Sequence, residues 1–189
     1  MKSKNKLPIL LALITVIAVA AQAGVLVVNH ITINGNYIGN PVQFKLGTNA
    51  GTGKGINGTD ITVSLTNNNA NASITFSIPP GESYFVDVLE VNNSATTKYY
   101  YQIVPGTITG GANFDAIKVI VINGTTIEGT VDLLNPSPTP TTFTIKKGYN
   151  HILVFYFKTN SGWTSGSTVT VNINLKYSTE TGVFNYPLP

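Results

Sequence analysis

Ser167-Thr168-Val169-Thr170-Val171-Asn172-Ile173-Asn174-Leu175-Lys176-Tyr177 alternates apolar and polar residues almost without a break. On an extended chain successive side chains point to opposite faces. Val169, Val171, Ile173 and Leu175 therefore share one face, and Thr168, Thr170, Asn172 and Asn174 share the other. Such a strand has one dry side and one wet side. Ile61-Thr62-Val63-Ser64-Leu65-Thr66 repeats the pattern, with the apolar residues pointing one way and the hydroxyls the other.

Working outward, the chain is a series of short runs rich in β-branched and aromatic residues. They are Val25–Ile33, Tyr37–Leu46, Thr59–Thr66, Ser73–Ile78, Tyr84–Val91, Lys98–Val104, Ile117–Ile122, Ile127–Leu134, Thr141–Ile145, His151–Lys158 and Ser167–Tyr177. No convincing helix follows the N-terminal segment. This spacing predicts an all-β sandwich or barrel. Ile117–Ile122 and Ile152–Phe157 are apolar on both faces, which predicts central strands covered on both sides. Pro79-Pro80-Gly81 stops one strand and turns into the next. Asn123-Gly124 predicts a type I′ hairpin turn, since both residues accept positive φ. Asn135-Pro136-Ser137-Pro138-Thr139-Pro140 reads as a stiff extended connector. Gly47–Gly58 reads as a flexible Gly-rich loop.

Residues 1–23 read as a signal peptide. Lys2, Lys4 and Lys6 precede the apolar run Leu7–Ala21, and Ala21-Gln22-Ala23 supplies small residues at the cleavage positions. The run is shorter than the roughly 20 residues that span hydrocarbon. A retained anchor and a pilin-type leader cut before the run are the alternatives. Cleavage predicts a secreted chain, extracellular or at the cell surface, with no membrane contact in its mature form. The formal charge of +3 comes from the three leader lysines, because the rest has as many acids as lysines and no arginine. That gives no ground for a nucleic-acid partner. Charged residues are only 10% of the chain, and a polar, uncharged surface suits close packing with neighbours. With no cysteine, no disulfide holds the fold.

The proposed mature N-terminus, Gly24-Val25-Leu26-Val27-Val28-Asn29-His30-Ile31-Thr32-Ile33, is strongly apolar and β-prone. A free end is usually polar and frayed, and an unpaired strand of this kind invites aggregation. Residues 24–36 can form the first strand of their own sandwich. They can instead be a donated strand that completes the next subunit's sheet within residues 37–189. Val25, Val27, Ile31 and Ile33 would then fill pockets on one face, with Leu26 and Val28 on the same segment. A head-to-tail contact propagates as a filament unless its rotation closes a ring.

Ile78-Pro79-Pro80-Gly81-Glu82 followed by a strand with Phe85, Val88 and Val91, then Asn92-Asn93-Ser94 and the strand around Tyr99–Ile103, is similar to the TasA/camelysin-like biofilm-matrix fibre proteins. The long pair His151–Lys158 and Ser167–Tyr177 resembles that family's closing strands. The likeness covers most of the mature chain as a strand pattern. Bacterial members carry an acidic, aromatic patch after cleavage, where this chain has Asn29-His30, and longer charged insertions. The resemblance therefore points to the related archaeal bundling pilus subunits. It implies a jelly-roll-like sandwich and a homopolymer built by donor-strand complementation, with neighbouring filaments gathered into bundles.

The expected chemistry is sparse. His30 and His151 are the only histidines, with no cysteine, so no zinc set, and no other metal or cofactor, is expected. No G-x-S-x-G elbow occurs. Gly51-Thr52-Gly53-Lys54-Gly55 lacks the spacing and following helix of a phosphate loop. Asp87 and Glu90 share a strand, but their odd spacing predicts opposite faces. No enzymatic activity is expected. Tyr99 and Tyr101 share a face that is either core or a lateral contact, and Trp163 is expected at a hairpin tip as a contact anchor or packed locally. Asn57, Asn71, Asn92 and Asn123 each begin an N-x-S/T sequon in a predicted turn and would accept a glycan. Two functions are compatible with these features: a structural filament subunit, or a monomeric adhesin or carbohydrate-binding sandwich using the tyrosines or Trp163. A secreted hydrolase is the third and weakest.

Overall fold

The computed structural model describes residues 39–164, 167–181 and 184. Residues 1–23 and the donor-like run Val25–Ile33 lie outside these. Ten strands form: β1 Val42–Leu46, β2 Thr62–Thr66, β3 Asn71–Ser77, β4 Glu82–Asn93, β5 Tyr99–Thr109, β6 Phe114–Asn123, β7 Thr126–Asp132, β8 Phe143–Ile145, β9 Asn150–Thr159 and β10 Thr168–Ser178. Every expected run from Tyr37 onward carries one of them. Among the described residues the only helical pieces are short 3-10 turns, and no helix is long and apolar enough to cross a membrane.

The strands form two antiparallel five-stranded sheets, ordered β1-β4-β9-β6-β7 and β2-β3-β10-β5-β8. From β3 to β10 the chain changes sheet at every step except β6 to β7. The two sheets make the all-β sandwich that the strand pattern predicts. Alternation places the core as the sequence pattern requires: Val169, Val171 and Ile173 are fully buried and Leu175 nearly so. The centre is aromatic. Phe76 of β3 faces Phe85, Phe155 and Phe157 at ring-centroid distances of 4.9, 5.2 and 4.9 Å, joining both sheets. Tilted and edge-on contacts of this kind add to the burial of the rings themselves.

Local departures have physical causes. Among the described residues β1 begins at Val42, just past Pro41, which has no N–H and restricts Asn40. The β6–β7 turn is Gly124-Thr125, with positive φ at Gly124 alone, as in a type II′ turn rather than the expected I′. The Gly47–Gly58 loop is held rather than loose: Gly53 N–H donates to Asp60 Oδ1 (2.8 Å), and Gly51 bridges Ile61. Register slips between Val86 and Leu89 of β4, where Asp87 takes φ 55°. This bulge interrupts the alternation that predicted opposite faces for Asp87 and Glu90. Both are partly exposed: Thr48 N–H and hydroxyl donate to Asp87 Oδ2, and Asn150 donates to Glu90 Oε2 at 2.8 Å.

β9 and β6 are interior strands of their sheet, as expected of Ile152–Phe157 and Ile117–Ile122. Cover on the outer face is partial: Val154 is buried there between Val86 and Ile120, but its neighbours are less so. Val86 and Ile127 on the outer face are 49% and 64% exposed, and Ile120, Ile122 and Ile152 are half-buried.

Candidate functional site

An unpaired strand edge presents a row of N–H and C=O groups to any chain that can reach it. β8 has three residues and pairs only Tyr99–Tyr101 of β5. Among the described residues, no strand pairs with Gln102–Thr109 on the side away from β10. Among the described residues β7 pairs only with β6, which leaves its other edge without a partner strand there. These two long edges belong to opposite sheets and flank one groove of about 310 Å³. Ile103, Val104 and Pro105 form one wall and Thr130, Val131 and Asp132 the other, with the proline connector beside them. Gln102, 6% exposed, fixes the end of that connector: its amide donates to Thr142 Oγ1 (2.9 Å) and to the Pro140 carbonyl (3.4 Å).

The opposite side of the sandwich is closed differently. The β1 edge is partly used, because Phe44 N–H donates to the Asn69 carbonyl (2.8 Å). Asn67, Asn68 and Asn69 all have positive φ, which asparagine tolerates better than most residues. Their turn is pinned by Asn40, whose amide donates to the Asn68 carbonyl at 3.0 Å.

The residues singled out from sequence fall in unequal places. Tyr101 is fully buried, stacked on Phe143 at 5.3 Å, with its hydroxyl 2.8 Å from His151 Nδ1. Burial holds this phenol well above its ordinary range and lowers the His151 imidazole. Trp163 does lie in the β9–β10 connection, but it folds inward. It is 7% exposed, its ring lies 4.5 Å from Phe114, and its indole N–H donates to the Ile78 carbonyl at 2.8 Å. Neither Tyr101 nor Trp163 therefore offers a lateral contact. An indole at a loop tip wins more by covering the end of an aromatic core than by facing water. Tyr99 shares the inward face with Tyr101, half-buried and edge-on to Tyr177 at 6.0 Å.

Of the four sequons, only Asn57 is both exposed and in a loop, at φ 56°. Asn71 opens β3 between Thr66 and Asn174, so it lies in a sheet rather than a turn. Asn92 is likewise mid-sheet, and its amide donates to Asn150 Oδ1. Asn123 closes β6 and donates to Glu128 Oε1 at 3.0 Å. His30 lies outside the described residues, and among the described ones no group of three His, Cys, Asp or Glu could hold a metal.

Sequence inspection passed over Tyr84. It is 59% exposed on the outer face of β4, directly opposite Tyr156 of β9, with ring centroids 4.8 Å apart. The signal was present, since even-numbered spacing sets Tyr84 with Glu82 on the wet face of its strand.

No family model and no curated protein matches the chain. Solved structures with some likeness include the secreted serine protease VesC from Vibrio cholerae. It is 13% identical, with a TM-score of 0.33 over 64% of this chain, which spans 24% of that protein's length. A low-affinity xylan-binding module, CBM86 from Roseburia intestinalis, is 14% identical, with a TM-score of 0.26 over 74% of this chain and 92% of that one. A CBM4 structure is 18% identical, with a TM-score of 0.28 over 78% of this chain and 94% of the other. At these scores the likenesses carry no argument about function.

Proposed function

We propose that this chain is a structural subunit of an extracellular filament, in which residues 24–36 of one copy add as a strand to the open β5 edge of the next. The observation that carries the reading is that the β5 and β7 edges, both without a partner strand among the described residues, flank one groove whose apolar lining is Ile103, Val104, Pro105 and Val131, with Thr130 and Asp132 beside them. The donor would supply main-chain hydrogen bonds to Gln102–Thr109 and apolar side chains to the groove. Val25, Val27, Ile31 and Ile33 have the alternation that such a groove accepts. The contact joins unlike surfaces, so copies add head to tail. The near balance of charge beyond the leader removes long-range repulsion between subunits.

The chain has no cysteine, so introduced thiols report without background. Val104→Cys is combined in turn with cysteine at Val25, Val27, Leu26, Val28 and Ile31, under oxidising conditions. The expected result is an intermolecular disulfide ladder from one set of alternate donor positions. A ladder from Thr62→Cys on the β2 edge, with none from Val104→Cys, would contradict this acceptor. Absence of any ladder in protein that is folded would contradict strand donation itself.

A further inference from the structure

The outer face of the β1-β4-β9-β6-β7 sheet carries an aromatic pair that strand donation does not use. Cross-strand register sets Tyr84, Tyr156, Lys118 and Asp132 in one row across β4, β9, β6 and β7. Glu82 and Lys158 stand in the row beside it, 3.3 Å apart as an ion pair. Val86, Val154 and Ile120 form the row on the other side. The two tyrosine rings pack against each other at an inclination of 40°, with Tyr84 mostly exposed and Tyr156 partly so, and the pair stands open to solvent on the sheet face. Burial comes first among the influences holding the Tyr156 hydroxyl above its ordinary range, followed by the Glu82 charge. Lys158 is raised by its hydrogen bond to Glu82.

The charges around the platform and its neighbouring cleft are Glu82, Asp115 and Asp132 against Lys54, Lys118 and Lys158, and they cancel. A nucleic acid or anionic lipid surface would call for an excess of positive charge. A purely apolar partner would leave the Glu82–Lys158 pair and Lys118 to be desolvated at a cost. A neutral sugar chain meets both conditions. Its C–H faces lie against aromatic rings, and its hydroxyls both donate to a carboxylate and accept from ammonium groups. Beside Tyr84 a cleft of about 330 Å³, walled in part by Lys54, Ile56 and Val86, has room for the neighbouring sugar unit.

We propose that Tyr84 and Tyr156 form a binding platform for a neutral polysaccharide, with Glu82 and Lys158 hydrogen-bonding its hydroxyls. This site is independent of strand donation, because it lies on the sheet face rather than on the β5 edge.

The test is biolayer interferometry of the secreted protein against immobilised dextran, mannan and mixed-linkage β-glucan, with alginate as the anionic counterpart. At least one neutral polysaccharide is expected to bind. Tyr84→Ala and Tyr156→Ala are each expected to weaken it about tenfold or more. Both positions are at the surface, so melting temperature should stay near wild type, and Tyr84→Phe should retain binding because the ring remains. Three outcomes overturn the proposal: no neutral polysaccharide bound by wild type, preference for alginate, or binding unchanged in both alanine variants. Loss of self-association in the alanine variants without any sugar binding also overturns it, and assigns the face to a second copy.

Discussion

The Tyr101 hydroxyl lies 2.8 Å from His151 Nδ1, and the bond joins β5 of one sheet to β9 of the other between two buried side chains. Neutral imidazole with its proton on Nε2 accepts from the phenol, whereas imidazolium cannot accept at all. Burial lowers the His151 pKa, with Glu128 pulling weakly the other way. A histidine depressed in the fold contributes stability that is complete above its unfolded value, about 6.5. That contribution is lost as pH falls below this value toward the folded pKa, because the unfolded chain takes up the proton first. Melting temperature should therefore drop between about pH 7 and pH 5, and the drop should be smaller in His151→Phe. Equal slopes in the two proteins would contradict the assignment.

Removing the other partner has a separate signature. Tyr101→Phe keeps the stacking on Phe143 but leaves Nδ1 buried without a donor. Chemical denaturation should show a loss of about 1–3 kcal/mol.

Trp163 is the sole tryptophan, which makes its burial directly observable. Its emission should be blue-shifted and poorly quenched by acrylamide in the native protein, shifting red on unfolding. Trp163→Ala should cost about 3–5 kcal/mol, since it opens the end of the core over Phe114. Red-shifted native emission would return the indole to the surface.

The Asp87 bulge leans on Gly47. A Cβ at residue 47 would collide with the Asp87 carbonyl, and Gly47 N–H already donates to Val88 O at 3.0 Å. Gly47→Ala should destabilise the fold by about 1–3 kcal/mol. Asp87→Asn should be milder, because asparagine also tolerates positive φ and its amide oxygen still accepts from Thr48.

Most of the sandwich was legible because period two leaves an unambiguous mark where one face is dry. Val169 to Leu175 read correctly residue by residue, and so did the existence of every strand from β1 on. What failed to read out depends on neighbours distant in sequence. The inward fold of Trp163 requires Phe114 at the start of β6 and the Ile78 carbonyl just past β3, both distant in sequence. The placement of Asn71 and Asn92 in sheets rather than turns follows from pairing with Asn174 and Asn150. The open β5 edge was illegible because Thr141–Ile145 reads as a longer run than the three residues that pair. Tyr84 was visible as a wet-face residue, but its partner Tyr156 sits in a run that reads as covered on both sides.

The most direct measurement is negative-stain electron microscopy of the mature protein beside a variant lacking Gly24–Ile33. Strand donation predicts filaments from the first and folded monomers from the second. Folded monomers from both, or filaments from both, would contradict it.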